Sequence, residues 1–373
     1  MPWLFWEQLG EARSKCLHIA TSPLPPAMAR QLSALYLAKG VHATTAIEGN
    51  TLTEEQALEL VQGQLELPIG QEYQRREIEN ILASCSEIEQ EVFEAGEFAV
   101  TPARLGQLNE QVLDGLDLDD GVVPGVHRET SVVVGNVYRG APAADCAFLV
   151  EQLCDWLNGP DFAPADDRRE SFLRVVLRAV IAHVYIAWIH PFGDGNGRTA
   201  RLIEFGILTA AGIPSVSAHL LSNHYNATRS AYYRQLDRAS TSGGDLSRFL
   251  TYAVEGFAGE LDLQLRGVRE VNFSAAWRTY VDEIFAGART PAPRRQRDLV
   301  LALPPDAWVA RSEVPVMTAD IARQYAGKGA KTVTRDLNAL VTQGLIEIGR
   351  DGVRARREVM LGFLPRAVDG GVL

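Results

Sequence analysis

Within the twelve residues His190-Pro-Phe-Gly-Asp-Gly-Asn-Gly-Arg-Thr-Ala-Arg201 the chain gathers a base, a hard metal ligand, flexible backbone and two guanidinium groups. Gly193, Gly195 and Gly197 permit a tight turn with exposed amides, and a helix follows at once. Several N–H groups and the positive end of that helix then face one concavity, which makes an anion site. Arg198 and Arg201, three residues apart on the opening turn, can grip two phosphates of one nucleotide. Asp194 offers an oxygen ligand to a magnesium ion bridging phosphate oxygens. His190, with an ordinary pKa of about 6.5, suits accepting a proton at neutral pH, and Phe192 points inward as an anchor. Taken singly, a histidine after a buried helix is more often a cap, glycines usually only turn, and an arginine pair is usually solvated. Their combination points to phosphate chemistry.

The elements that must position this loop read as helices. Tyr73, Ile78, Ile81, Leu82, Cys85, Ile88 and Val92 recur mostly at three- and four-residue intervals, one amphipathic face between Gln71 and Gly96. Similar patterns cover Thr101 to Leu116, Ala144 to Leu157, Arg168 to Ile189, Arg198 to Ala211 and Leu246 to Val268, so this part is a helical bundle. The apolar run from Phe172 to Ile189 is interrupted by Arg174, Arg178 and His183, which suits a buried helix better than a membrane span. Between Val122 and Pro142, two β-branched runs flank Gly135-Asn136 and predict a hairpin. A lone hairpin is marginal in water and must lie on the helices or pair with another strand.

Charge divides the 373 residues. Ala288 to Leu373 carries net +5 and Met1 to Gly287 net −16, an acidic body with a basic end of the kind that can mark an appended nucleic-acid module. A composition 46% hydrophobic and 22% charged excludes a mostly disordered or collagen-like chain. Cys16, Cys85, Cys146 and Cys154 lack metal-ligand spacing and read as reduced, buried thiols; with no basic start or cleavage site, the expectation is a cytoplasmic protein. The basic end begins with a bridging helix to about Phe285 and a Pro- and Arg-rich linker from Gly287 to Arg297. Thr318 then caps a helix to Tyr325, a turn spans Ala326 to Ala330, and a second helix runs from Lys331 to Gln343. Leu345 to Ile348 reads as a strand, Gly349 to Arg357 as a basic turn and Glu358 to Gly362 as a returning strand, the order of a winged helix-turn-helix. The predicted domains are 1–100, 101–270, a bridge and linker at 271–297, and 298–373.

The segment from His190 to Arg201 resembles the motif of the Fic (Fic/Doc) family, HxFx(D/E)GNGRxxR, with His190, Phe192, Asp194, Gly195, Asn196, Gly197, Arg198 and Arg201 at its specified positions. The resemblance spans roughly Pro25 to Phe257. It implies a mainly α fold, a Fic-type helical bundle with a β-hairpin flap, to which the winged helix is appended. It also implies an adenylyltransferase that moves AMP from ATP, with Mg²⁺ or Mn²⁺, to a Ser, Thr or Tyr hydroxyl of a target protein. His190 would take the hydroxyl proton and Asp194 hold the metal. Gly193, Gly195, Asn196, Gly197, Arg198 and Arg201 would bind the phosphates, and Tyr232 and Tyr233 flank the adenine. Some relatives place Asn where this chain has Ser240. Members that phosphorylate have lysine where this chain has Gly197, so Gly197 implies AMP transfer. The hairpin resembles the family flap, whose positions Val132, Val133, Val134 and Gly135 would hold the target by strand pairing.

Upstream, Thr44-Thr-Ala-Ile-Glu48-Gly49-Asn50 resembles the inhibitory signature (S/T)xxxE(G/N) of class II members. Thr44 opens that motif, and Glu48 would form a bidentate pair with Arg201 and keep it from the nucleotide. The same glutamate could orient a water that removes AMP. Removal of AMP, transfer of another nucleotide-linked group, and a nucleotide-sensing DNA-binding regulator are the competing readings; the intact His190 counts against the last. Self-modification, DNA at the winged helix and a homodimer are the further partners considered, and no membrane is expected. In the tail, Lys331, Thr332, Thr334 and Arg335 face outward, with Arg350, Arg354, Arg356 and Arg357 in the wing, fitting DNA or protein contacts equally.

Overall fold

The computed structural model describes residues 1–64, 70–134, 138–288, 290–305 and 307–361. The chain divides into two units, Met1–Val268 and Arg269–Leu373.

In the first unit the helices are α1 (Trp3–Thr21), α2 (Pro26–Ala46), α3 (Glu54–Val61), α4 (Glu72–Ala95), α5 (Pro102–Leu113), α6 (Cys146–Leu157), α7 (Arg168–Ile189), α8 (Asn196–Ala210), α9 (Ser215–Ala218), α10 (Leu220–Ala227) and α11 (Arg229–Thr241), followed by the start of α12 (Ser247–Ile284). Local chemistry sets several starts: Thr101 accepts from the Arg104 amide ahead of Pro102, and Thr53 with Gln56 closes a capping box. α7 and α8 form the centre of the bundle, α8 also meeting α4 and α5. α7 is long and apolar enough to cross a membrane, but Val176, Ala179, Val180, Ala182 and Val184 are buried in the same core as Ile203, Leu208, Phe249 and Phe257. β1 (Val133–Val134) and β2 (Tyr138–Arg139) pair antiparallel as the expected hairpin, with Val133 opposite Arg139. Gly135 and the Gly135-Asn136 turn lie outside the described residues. The four cysteines are free and buried.

The second unit departs from the sequence reading in three places. The segment expected to be a linker is helical: α13 (Pro291–Ala302) starts after Thr290 with Pro291 at its first position. Its Leu299 and Val300 are buried with Trp277, Val281 and Phe285, and Arg295 and Gln296 both reach the buried Asp336 at 2.7 and 2.9 Å. Residues 271–284 likewise continue α12 without a break. After α14 (Ala319–Tyr325), capped by Thr318, and α15 (Ala330–Thr342), β3 (Ile346–Ile348) pairs with β4 (Val353–Ala355). The returning strand expected from Glu358 to Gly362 therefore lies earlier, and Arg357–Met360 is a 3-10 turn. The basic turn is consequently short: buried Val353 and Ala355 put strand alternation where the arginines suggested a loop.

Candidate active site

The loop from His190 to Gly195 joins α7 to α8 and is braced from inside. Phe192 is buried at 1% exposure. Its amide donates to Asn196 Oδ1 and its carbonyl accepts from Asn196 Nδ2, both at 2.9 Å. The Asn196 side chain thus ties the loop closed, and only its amide remains for an anion. Asn109, fully buried on α5, donates to the Asp194 carbonyl at 2.9 Å and fixes the other side.

Gly195, at φ 75°, is the N-cap of α8, so the amides of Asn196, Gly197 and Arg198 form its first turn and have no intrahelical acceptor. The Gly195 amide is engaged by Asp194 Oδ1 at 2.5 Å. An anion seated at this helix end meets three amides and the positive end of the dipole.

His190 ends α7 at φ 50° and is the non-glycine residue with positive φ among those described. Such a conformation costs about 1–2 kcal/mol, so something must hold it. Arg128 Nε donates to the His190 carbonyl at 2.7 Å. His190 Nδ1 lies 3.4 Å from the Ala187 carbonyl, and donation there leaves Nε2 as the acceptor. Burial pushes the imidazole pKa down, Arg128 pushes it further down, and the Ala187 carbonyl, Glu48 and Asp194 only partly oppose this. The ring is neutral at pH 7, as a base must be.

The two motif arginines are both buried and both paired. Arg198 Nη1 donates to Glu77 of α4 at 2.7 Å and Nη2 to Asp194 Oδ2 at 3.1 Å. The second Glu77 oxygen accepts from Asn50 Nδ2 at 2.9 Å. Arg201 Nη2 donates to Glu48 Oε1 at 2.5 Å and to the Thr44 carbonyl at 2.9 Å. The bidentate pair expected from the sequence is a single contact, because Nη2 is shared with Thr44 while Nε and Nη1 are buried without a partner among the described residues. Glu48 Oε1 also lies directly over Gly197, where any Cβ would overlap it. A carboxylate therefore rests at the opening turn of α8. The Glu48 side chain keeps 32% of its surface exposed. Protein surrounds it closely enough that desolvation opposes its charge, yet Arg201, Arg198 and His190 together hold its pKa below the ordinary value.

The tyrosine pair separates. Tyr232 is buried, its hydroxyl 2.8 Å from His183 Nε2 in a network with Glu204 and Tyr225. Tyr233 is 44% exposed, and its hydroxyl donates to the Ile47 carbonyl at 3.2 Å. Arg229 donates to the same carbonyl, securing the end of α2 that carries Glu48. Ser240 turns back to the Asp237 carbonyl at 2.8 Å. In the flap, Val133 is 56% exposed, and the Gly140 amide donates to the Val132 carbonyl at 3.2 Å. Sequence reasoning missed Glu77, Asn109 and Arg128; their positions carry no spacing signal, and only the fold brings them to the loop.

The Fic/DOC family model matches residues 99–208. Similar curated proteins include Protein adenylyltransferase fic-1 of Caenorhabditis briggsae, 29% identical over 248 residues, 66% of this chain and 44% of that one. Protein adenylyltransferase Fic of Nematostella vectensis is 26% identical over 259 residues, 69% of this chain and 55% of that one. The chain thus spans about half the length of the curated relatives it matches. Among solved structures, a Fic family protein from Desulfovibrio desulfuricans G20 superposes with a TM-score of 0.56 at 20% identity, covering 95% of this chain and 96% of that one. Fic-1 from C. elegans gives 0.55 at 22% identity, covering 72% and 73%. At these identities the structures share a fold with this chain, while the family model matches the segment that contains the loop. Residues 99–208 thus match the Fic/DOC family model, and the loop from His190 to Arg201 lies inside that match.

Proposed function

We propose that the chain is a protein adenylyltransferase, moving AMP from ATP to a hydroxyl side chain of a target protein, and that Glu48 inhibits it. The observation that carries this reading is the Glu48 carboxylate held against Gly197 and Arg201, an anion seated where a nucleotide phosphate would be received. Neutral His190 Nε2 takes the proton of the attacking hydroxyl, the new bond forms to the α-phosphorus, and pyrophosphate departs with the bonding pair. The amides at the start of α8 face the charge that builds on the phosphate oxygens, and fixed dipoles of this kind need no reorganisation. Arg201, once free of Glu48, offers Nε and Nη1 as well.

Among the described residues no group of three or more His, Cys, Asp or Glu side chains could by itself hold a metal ion. Asp194, with 48% of its side chain exposed, fits a cation held by one carboxylate and otherwise by substrate phosphates and water, as Mg²⁺ or Mn²⁺ prefers. Bound there, such an ion would neutralise phosphate charge.

The test is incorporation of labelled AMP from ATP into lysate proteins by wild type, Glu48→Gly and Glu48→Gly/His190→Ala. Labelling by Glu48→Gly that exceeds wild type and disappears with His190 supports the reading; equal labelling by all three sinks it. Because the His190 pKa is pushed down, activity rises with pH through that lowered value and is flat across neutrality.

The second unit supports a narrower reading of its own. The order α14, α15, β3, β4 fits a winged helix-turn-helix with Lys331, Thr334, Arg335 and Asn338 exposed on α15. Arg354 is engaged by Glu347 and Glu358, and Arg357 by Glu270, leaving Arg350 and Arg356 as the wing cations without an acidic partner among the described residues. DNA binding through α15 then predicts a shallow salt dependence of few phosphate contacts; no retention of duplex DNA at low salt would remove it.

A further inference from the structure

We propose that Arg128 is a positioning residue that couples the flap to His190, so that the base is aimed only while the flap is seated. This rests on the adenylyl-transfer reading for its kinetic consequence. The Arg128 guanidinium is buried, at 7% residue exposure, and meets main-chain carbonyls from three directions. Nε donates to the His190 carbonyl at 2.7 Å, and Nη2 reaches the Ile189 carbonyl at 3.3 Å. Both are carbonyls at the C-terminus of α7, which the helix itself leaves without donors and where a positive charge is favoured. Nη1 donates to the Thr130 carbonyl at 2.6 Å and Nη2 to the Ala141 carbonyl at 2.5 Å. Thr130 and Ala141 lie just outside the paired strands Val133–Val134 and Tyr138–Arg139, on the two legs of the hairpin.

The planar fork of one arginine therefore closes the base of the flap and holds the peptide of the left-handed His190. A lysine, with a single nitrogen, cannot serve both sets of carbonyls at once. Neighbouring contacts run the same way. The Arg128 amide donates to the Pro191 carbonyl at 2.9 Å, and His127 bridges to Phe192. Gly140 packs so closely that a Cβ there would lie 3.0 Å from Arg128 Nη2 and 3.2 Å from the His190 Cβ. Among the described residues no carboxylate pairs with Arg128, so its charge also acts on the imidazole. The charged groups facing His190 are Arg128, Glu48 and Asp194, and of these Arg128 is the one that lowers its pKa.

The experiment compares Arg128→Lys, Arg128→Gln and Gly140→Ala in full-length Glu48→Gly, with thermal melts to confirm folding. The expected kcat loss is on the order of 10- to 100-fold in each, the scale of a misaligned catalytic group, with the KM for ATP little changed. Arg128→Gln also moves the acid limb of the kcat profile to higher pH, whereas Arg128→Lys, which keeps the charge, does not. Gly140→Ala keeps the test decisive if the Arg128 variants fold poorly. Should Glu48→Gly transfer no AMP, the adenylyl-transfer reading fails by itself. The NMR titration of His190, assigned with His190→Ala, and amide exchange of residues 130–141 then decide the present one. A raised His190 titration in Arg128→Gln with faster flap exchange upholds the coupling. Variants with kcat within twofold of the parent, or, where there is no turnover, with an unmoved titration and unchanged exchange, overturn it.

Discussion

The two arginines of the motif sit one turn apart on α8 and meet different kinds of acid. Arg198 pairs with Glu77, whose side chain is 6% exposed in the second turn of α4 and whose other oxygen is held by Asn50. Arg201 pairs with Glu48, 32% exposed, two residues beyond the end of α2 and followed by Gly49 at φ 105°. The first pair is walled in by two helices and a third polar partner; the second hangs just past a helix end with a third of the Glu48 side chain exposed. Both are ion pairs at similar distances, so geometry at the contact does not distinguish them. What differs is how much structure must move to break them. The Glu77 pair is part of the scaffold that presents the loop, and the Glu48 pair can open while that scaffold stays intact.

The largest expected effect comes from breaking the scaffold side. Glu77→Ala leaves the Arg198 guanidinium buried with only the half-exposed Asp194, and an uncompensated buried charge costs about 3–5 kcal/mol. Urea unfolding of the first unit should show that loss, with AMP transfer falling in parallel even in a Glu48→Gly background. A change below about 1 kcal/mol would place Glu77 in the same releasable class as Glu48. On the other side, Glu48→Gly should raise labelling by on the order of 10- to 100-fold, the range of couplings of about 1–3 kcal/mol, with less loss of stability than Glu77→Ala. A smaller effect is expected at the joint between them. Asn50 donates to Glu77 and to the Gln74 carbonyl and accepts from the Leu52 amide. Asn50→Ala should destabilise by about 1–3 kcal/mol, as for an unsatisfied buried group, and partly relieve inhibition by loosening the turn after Glu48. Labelling at the wild-type level in a variant that is destabilised would separate the two sides completely.

How much of this was legible in the sequence follows from the same contrast. The loop residues announce themselves because they are contiguous: glycines, acid, base and arginines fall in one short window, and the helices around them carry clear periodicity. Glu48 was legible only through its resemblance to a signature, since a glutamate before a glycine otherwise looks like a helix end. Glu77, Asn109 and Arg128 were not legible, because each is an ordinary polar residue whose role comes from long-range packing, of α4 and α5 against α8 and of the hairpin base against the end of α7. The tail shows the opposite error. Pro291, Pro293 and a cluster of arginines looked like a linker, but proline suits the first turn of a helix, and Arg295 is buried against Asp336 instead of solvated. Composition misled where a charge found a buried partner far along the chain.

The finest test of the contrast is the sign of each carboxylate's response to pH. For Glu77, burial is the largest influence and raises its pKa above the ordinary 4.5, with Arg198 and Asn50 only partly offsetting it. The folded protein then binds that proton more tightly than the unfolded chain. Its contribution to stability is greatest below pH 4.5 and declines as pH rises through the raised value. For Glu48 desolvation is again the largest influence, but Arg201, Arg198 and His190 outweigh it and the pKa falls below 4.5. Its contribution is complete above that value and is lost only as pH falls through the lowered one. The stability difference between wild type and Glu77→Gln should therefore shrink with rising pH above 4.5, by at most about 1.4 kcal/mol per pH unit. The difference between wild type and Glu48→Gln should be flat there and fall on the acid side. Slopes of the same sign for the two would mean that the exposed pair is as much a part of the scaffold as the buried one.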